Sequence, residues 1–278
     1  MTNRYSDSNA VLNLLSFLGN YNAPFIQRDI NVPIKDDDEY NAVMQRVYSA
    51  LTENGYIAWI TEDYRDIFSS YKNASDIEMG LLPYCGASDS SEIINMYLSG
   101  RIYDEEVRSR YRGLLPQDID SCIDVVRALD YSLKHLDKEF GTYNGLVYRR
   151  GYMKPENGQY YSTTKNPALI QWKNVHSDDF DPEEGFSVIR IKNGAHQIYK
   201  FQEKMGDTFA DSEEEVLVSR KAQLDIVKNK DLDEELKLGR EELAKYLFIG
   251  ADKIMSGEVN APYTREQLLS FIDVYDEI

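Results

Sequence analysis

The sequence predicts an α+β fold, on three observations. Residues up to 140 place apolar side chains at the 3.6-residue helical period. Residues 145–227 break into short β-branched or aromatic runs separated by Gly, Pro, Asn and Asp. Residues 232–255 then return to helical composition. Helical and strand-rich stretches that are segregated rather than alternating point to helices packed on a largely antiparallel sheet.

The elements follow in order. Tyr40, Val43, Met44, Val47, Tyr48 and Leu51 form one helical stripe, with acidic residues before it and Asn54-Gly55 as its stop. Tyr64, Ile67, Phe68 and Tyr71 repeat the pattern, and Ile93, Ile94, Tyr97 and Leu98 mark a third, short helix. The clearest helix covers 117–140: Ile119, Cys122, Ile123, Val126, Leu129, Leu133, Leu136 and Phe140 share a face, and Gly141 closes it. Strands are expected at 145–152, 159–164, 185–191, 197–201, 215–219 and 223–227. Thr264 with Gln267 reads as a capping box opening a final helix that carries Leu268, Leu269, Ile272 and Tyr275.

Composition narrows the function classes. The 278 residues are 42% hydrophobic and 12% aromatic, enough to bury a core. The formal net charge of −17 and the absence of a basic stripe argue against nucleic-acid binding and against docking on anionic lipid. Cys85 and Cys122 make no disulfide framework and read as buried thiols. No apolar run is long enough to span a membrane. The segment 11–19 lacks the basic start and cleavage site of a signal peptide, so synthesis in a cytoplasm without a leader is expected. His135, His176 and His196 are scattered, and no metal site is expected. There is no phosphate-binding glycine loop and no serine nucleophile elbow.

Three stretches in the strand block carry unusual chemistry. In "VYRRG", Arg149 and Arg150 sit on an otherwise apolar strand, where adjacent side chains face opposite ways and an inward arginine needs an anion. The "YYSTTKNP" run puts Ser162, Thr163 and Thr164 at the end of a strand before Pro167; a polar turn is the simpler account of it. In "DSEEEVLVSR" (211–220), three glutamates precede Val-Leu-Val. Ser212 and Glu215 fit a capping box at a helix start. If 213–218 is instead extended, Glu213 and Glu215 share a face and Glu214 points away from it.

Taken in chain order, these stretches resemble the Arg-Ser-Glu class of mono-ADP-ribosyltransferases, which includes actin- and Rho-modifying bacterial toxins, secreted effectors and head-packaged phage enzymes. "SEIINMYLSGRI" is similar to the helix that lines the cofactor pocket in that class, and "IDSCIDVVRALDYSLKHL" to the helix before the arginine strand. The resemblance covers about residues 60–250. It implies an N-terminal helical region packed on a two-sheet antiparallel β-sandwich, with C-terminal helices: residues 1–56 as a helical extension and 57–278 as the catalytic domain. It also implies NAD as substrate, no metal, and transfer of ADP-ribose to an arginine of a host or target protein. That transfer would take place in a host-cell cytoplasm, after secretion or phage injection or carriage in a virion.

By the same resemblance Arg149, Ser162, Glu213 and Glu215 are catalytic, and Arg149, Arg150, Asn95, Tyr84 and Thr163 bind NAD. Phe209 and Glu213 recognise the acceptor, Glu213 as the carboxylate that favours arginine. Two positions depart from the pattern: the third hydroxyl residue is Thr164, and Ser91 stands where many relatives carry a tyrosine. Two alternatives are an NAD glycohydrolase, with water as acceptor, and a catalytically weak interaction module on the same fold.

Overall fold

A computed structural model describes residues 29–52, 75, 77–85, 90–105, 116–170, 181–205, 214–248, 255–257 and 263–278. The expected helix around 64–71 lies outside them. The chain divides into two compact units, Met1–His135 and Leu136–Ile278.

In the first unit, helix α1 spans Asp37–Thr52. Asp36 starts it, accepting the Glu39 N–H (2.9 Å), and the acids of the first turn suit the positive helix end. Tyr40, Val43 and Val47 are buried, as the helical spacing predicts. Helix α2 (Ser90–Leu98) buries Ile93 and Ile94, and Ile93 clusters with Met96, Ile102 and Cys122. Cys122 is buried and Cys85 is half-buried, and neither is in a disulfide.

Helix α3 (Pro116–Phe140) buries more than its apolar stripe. Arg127, 1% exposed, reaches Glu39 Oε1 (2.6 Å) and the Val32 carbonyl (2.9 Å). Asp124 accepts a fork from Arg46 (2.7 and 3.0 Å). The Tyr40 hydroxyl donates to the Ile77 carbonyl (2.8 Å) and accepts the Gly80 N–H (3.0 Å). A Cβ on Gly80 would lie 2.4 Å from Ser132 Oγ, so only glycine fits there.

The second unit is built on one sheet. Its strands are β1 (Gly145–Arg150), β2 (Tyr161–Thr164), β3 (Phe186–Ile191), β4 (Ala195–His196), β5 (Glu215–Val218), β6 (Leu224–Ile226) and β7 (Ile272–Glu277). They lie in the order β4-β5-β2-β1-β3-β7-β6. All pairs are antiparallel except β3 with β7. Among the described residues there is thus one continuous, mixed sheet in place of the two expected.

A short connection shows that this sheet curls. β5 and β6 are five places apart, about 24 Å in a flat sheet. The chain from Val218 to Leu224 reaches at most about 21 Å even fully extended. It is also pulled into a turn by the Ala222 N–H on the Ser219 carbonyl (3.0 Å). The ends of the sheet must therefore approach each other. One face closes on itself: Val147, Tyr161, Ile189, Val216, Val218, Leu224 and Tyr275 form one buried cluster. The other face is covered by helices α5 (Glu234–Leu247) and α6 (Arg265–Ser270), whose Leu236, Leu243, Leu247 and Leu268 meet Tyr148, Phe186, Val188 and Val274.

Two expected elements are corrected. Residues 197–201 are not a strand but the start of helix α4, Ile198–Met205. Ile198, Phe201, Gln202 and Met205 follow helical spacing, and over five residues the β-rich composition of "QIYKF" could not reveal it. The capping box at Thr264 and Gln267 is formed, but the helix stops at Ser270. Ile272 and Val274 then alternate with Asp273 and Tyr275 as β7, beside β3. Arg190 of β3 locks this junction, gripping Asp276 of β7 (2.6 and 3.0 Å) and reaching Asp233, the N-cap of α5.

Candidate active site

The three chemically unusual stretches fall on adjacent strands, β5-β2-β1. On β2 and β5 the register pairs Ser162 with Leu217 and Thr164 with Glu215, so Ser162 and Glu215 are diagonal neighbours on one face. The Ser162 hydroxyl donates to Glu215 Oε1 at 2.6 Å, joining residues 53 positions apart. The other carboxylate oxygen, Oε2, faces the Gln202 side-chain amide of α4 at 3.4 Å.

On β1, the ladder to β2 holds the single pair Tyr148–Thr164. Beyond it Arg149 takes over: its Nη1 donates to the Ser162 carbonyl (2.7 Å), and its guanidinium lies 5.4 Å from the Tyr161 ring centroid. Ser162 thus joins Arg149, through its carbonyl, to Glu215, through its hydroxyl. Burial pushes the Tyr161 hydroxyl above its ordinary range, against the opposing pull of the Lys154 backbone and Arg149. It stays neutral there, donating to the Lys154 carbonyl (2.6 Å).

Other expected residues are placed differently. Arg150 is exposed and pairs with Glu184 (3.0 Å). Thr163 is buried, and its hydroxyl donates to the Val216 carbonyl (2.6 Å), tying β2 to β5. Thr164 accepts the Asn166 N–H (3.1 Å) within the turn that follows. In the first unit Asn95 Nδ2 donates to the Tyr84 hydroxyl (2.9 Å), so these two expected NAD contacts touch each other. Glu213 and Phe209 lie outside the described residues. Among the described residues no group of three or more His, Cys, Asp or Glu side chains could hold a metal, and no helix is long and apolar enough to cross a membrane.

Glu214 differs from the expectation of an exposed spacer in an extended run. Its φ is +44°, the left-handed region, which is uncommon for a residue with a side chain. The strand therefore begins at Glu215, and Glu214 is not part of it. Nor does Glu215 open a helix, which removes the capping-box reading of Ser212 and Glu215. Glu214 is held at both ends. Its carbonyl accepts the Lys165 N–H (3.3 Å), and its carboxylate meets Lys165 Nζ (3.2 Å), which also lies 4.2 Å from the Tyr199 ring centroid.

Two residues of this cluster, Gln202 and Lys165, escaped the sequence reading. The signal for Gln202 was the helical spacing of Ile198, Phe201 and Met205 around it; for Lys165 there was none beyond its position next to the serine motif.

No family model matches the chain, and no curated protein matches it in sequence. Among solved structures it is similar to the ADP-ribosyltransferase Vis in complex with the M6 inhibitor, at 11% identity over 92% of this chain and 89% of that one, with a TM-score of 0.37. It is similar to the Vis toxin, an ADP-ribosyltransferase from Vibrio splendidus, at 14% identity over 89% and 88% of the two chains, with a TM-score of 0.36. A third structure is the type III effector XopAI from Xanthomonas axonopodis pv. citri, with a 70-residue N-terminal truncation. There the identity is 8% over 88% of this chain and 100% of that one, with a TM-score of 0.31.

Proposed function

We propose that the protein is an NAD-dependent mono-ADP-ribosyltransferase that moves ADP-ribose from NAD to an arginine of a target protein and releases nicotinamide. One observation carries this reading: residues from three separate motifs meet on adjacent strands, Arg149 donating to the Ser162 carbonyl and Glu215 accepting from the Ser162 hydroxyl.

The reaction breaks the bond between the ribose C1′ and the nicotinamide nitrogen. The electron pair leaves with nicotinamide, and positive charge develops on the sugar. Glu215 supplies a fixed negative charge to stabilise it, the effect that dominates many enzymatic rate enhancements. Ser162 holds the carboxylate in place. Arg149, whose Nη1 holds the Ser162 carbonyl, is proposed to bind the pyrophosphate. Arg150 would have to leave Glu184 to assist. Thr163 acts through the β2–β5 register, and Asn95 and Tyr84 of the first unit are proposed as further NAD contacts. Glu213 removes a proton from the acceptor guanidinium, which ionises only above about pH 12 and cannot attack C1′ while protonated. Phe209 is proposed to pack on the acceptor.

The test is nicotinamide release and protein labelling, measured in parallel with labelled NAD and a cell lysate. Glu213→Gln should lose arginine labelling while slow NAD hydrolysis continues. Equal loss of both would remove the separate role of Glu213. Hydrolysis without labelling in the wild type would make the protein an NAD glycohydrolase.

A further inference from the structure

We infer that Gln202, which lies outside all three motifs, is a positioning residue that fixes the second oxygen of Glu215; the inference rests on the function proposed above. Gln202 is 4% exposed on α4, and its amide Nε2 stands 3.4 Å from Glu215 Oε2 while Ser162 takes Oε1. An ionised carboxylate only accepts, so the amide must turn its N–H₂ toward it.

That orientation leaves the amide oxygen of Gln202 buried and without a hydrogen bond to any described residue. Burying an unmet acceptor is unfavourable, and a leucine or methionine would fill the same space without that cost. A glutamine kept there for packing alone would be a poor choice. One that holds the carboxylate plane is not.

With one oxygen on a β2 hydroxyl and the other on an α4 amide, Glu215 is fixed from two elements. With the Gln202 anchor removed, the carboxylate can turn more freely about its side-chain torsions, and the geometry in which it faces the ribose cation is then populated less of the time. Gln202 is buried and is not itself proposed to touch NAD, so its loss should fall on kcat rather than on KM.

Two measurements test this. By NMR, the side-chain amide resonances of Gln202 should move in Glu215→Gln and stay in place in Glu214→Gln. Resonances insensitive to Glu215 would overturn the contact. Kinetically, Gln202→Leu and Gln202→Met should lower kcat for nicotinamide release about tenfold, with KM for NAD changed less than about twofold. Methionine guards against misfolding by the branched leucine. A folded variant with unchanged kcat, or with its loss in KM alone, would overturn the positioning role. If the wild type cleaves no NAD while the amide resonances respond to Glu215, the contact stands and the transferase reading falls.

Discussion

Glu39 and Glu215 are both half-buried glutamates with an oxygen 2.6 Å from a donor, yet the donors differ in kind. Glu39 faces the buried guanidinium of Arg127. Burial works to raise its carboxyl, and the Arg127 hydrogen bond and charge, with the Lys35 backbone, outweigh it, so the group sits below its ordinary range. Glu215 receives a hydroxyl from Ser162 and an amide from Gln202. An arginine cancels the charge it orients, whereas a hydroxyl or an amide orients a carboxylate and leaves the charge on it. The first arrangement joins α1 to α3. The second holds a carboxylate between a hydroxyl of β2 and an amide of α4.

The comparison breaks most visibly if the two glutamates are substituted in turn. Glu215→Gln should lower nicotinamide release by about 10²–10³-fold, the usual loss for one preorganised electrostatic group, with the urea midpoint nearly unchanged. Glu39→Ala should do the reverse. It strands the Arg127 charge in the interior, and unfolding free energy should fall by about 3 kcal/mol in urea titrations while activity per folded molecule holds. If Glu39→Ala cost activity and Glu215→Gln cost stability, the distinction would be wrong.

Acid sharpens the same contrast. Asp276 lies below its ordinary range chiefly through the Arg190 hydrogen bonds, against the opposing effect of burial, and Lys192 adds to the lowering. Its folded form binds a proton less readily than its unfolded form. The stability it contributes is therefore complete above about pH 4 and lost as pH falls through the depressed folded value. Arg190→Met should flatten that part of a urea-midpoint profile taken from pH 6 to pH 2. A profile unchanged by the substitution would discount the network. Smallest of all should be Lys165→Met. Its pair with Glu214 is about one-third exposed on both sides, and such pairs contribute at most about 1 kcal/mol. A thermal midpoint lowered by more than a few degrees would mean that the left-handed turn at Glu214 depends on the lysine.

How much of this was legible follows from the range over which each signal acts. The helices α1 and α3 could be read because their periodicity runs over many turns. Ser162 and Glu215 could be named together because the local motifs around them resemble a known family, whereas the register that joins β2 to β5 is carried by neither stretch alone. Gln202 could not, because its segment is short enough for strand and helix patterns to coincide. The strand β7 was hidden by a true signal: the capping box at Thr264 exists, and nothing local says that its helix ends after six residues. The left-handed turn at Glu214 was hidden because three glutamates in a row carry no turn signature, and its stabilising partners, Lys165 and Tyr199, come from elsewhere in the chain.

The parallel ladder between β3 and β7 has a kinetic consequence. It joins positions 86 residues apart, as in the pair Arg190–Asp276, whereas β1, β2 and β3 find their neighbours within a few tens of residues. Closing a long loop costs entropy before its contacts repay it, and folding rates fall as such contacts accumulate. The docking of β7 is therefore expected to limit the speed of folding. Until it happens, β3 presents an open, apolar edge of Val188 and Ile189, the kind of surface on which chains aggregate. Refolding at rising protein concentration should reveal that interval as a growing loss of yield.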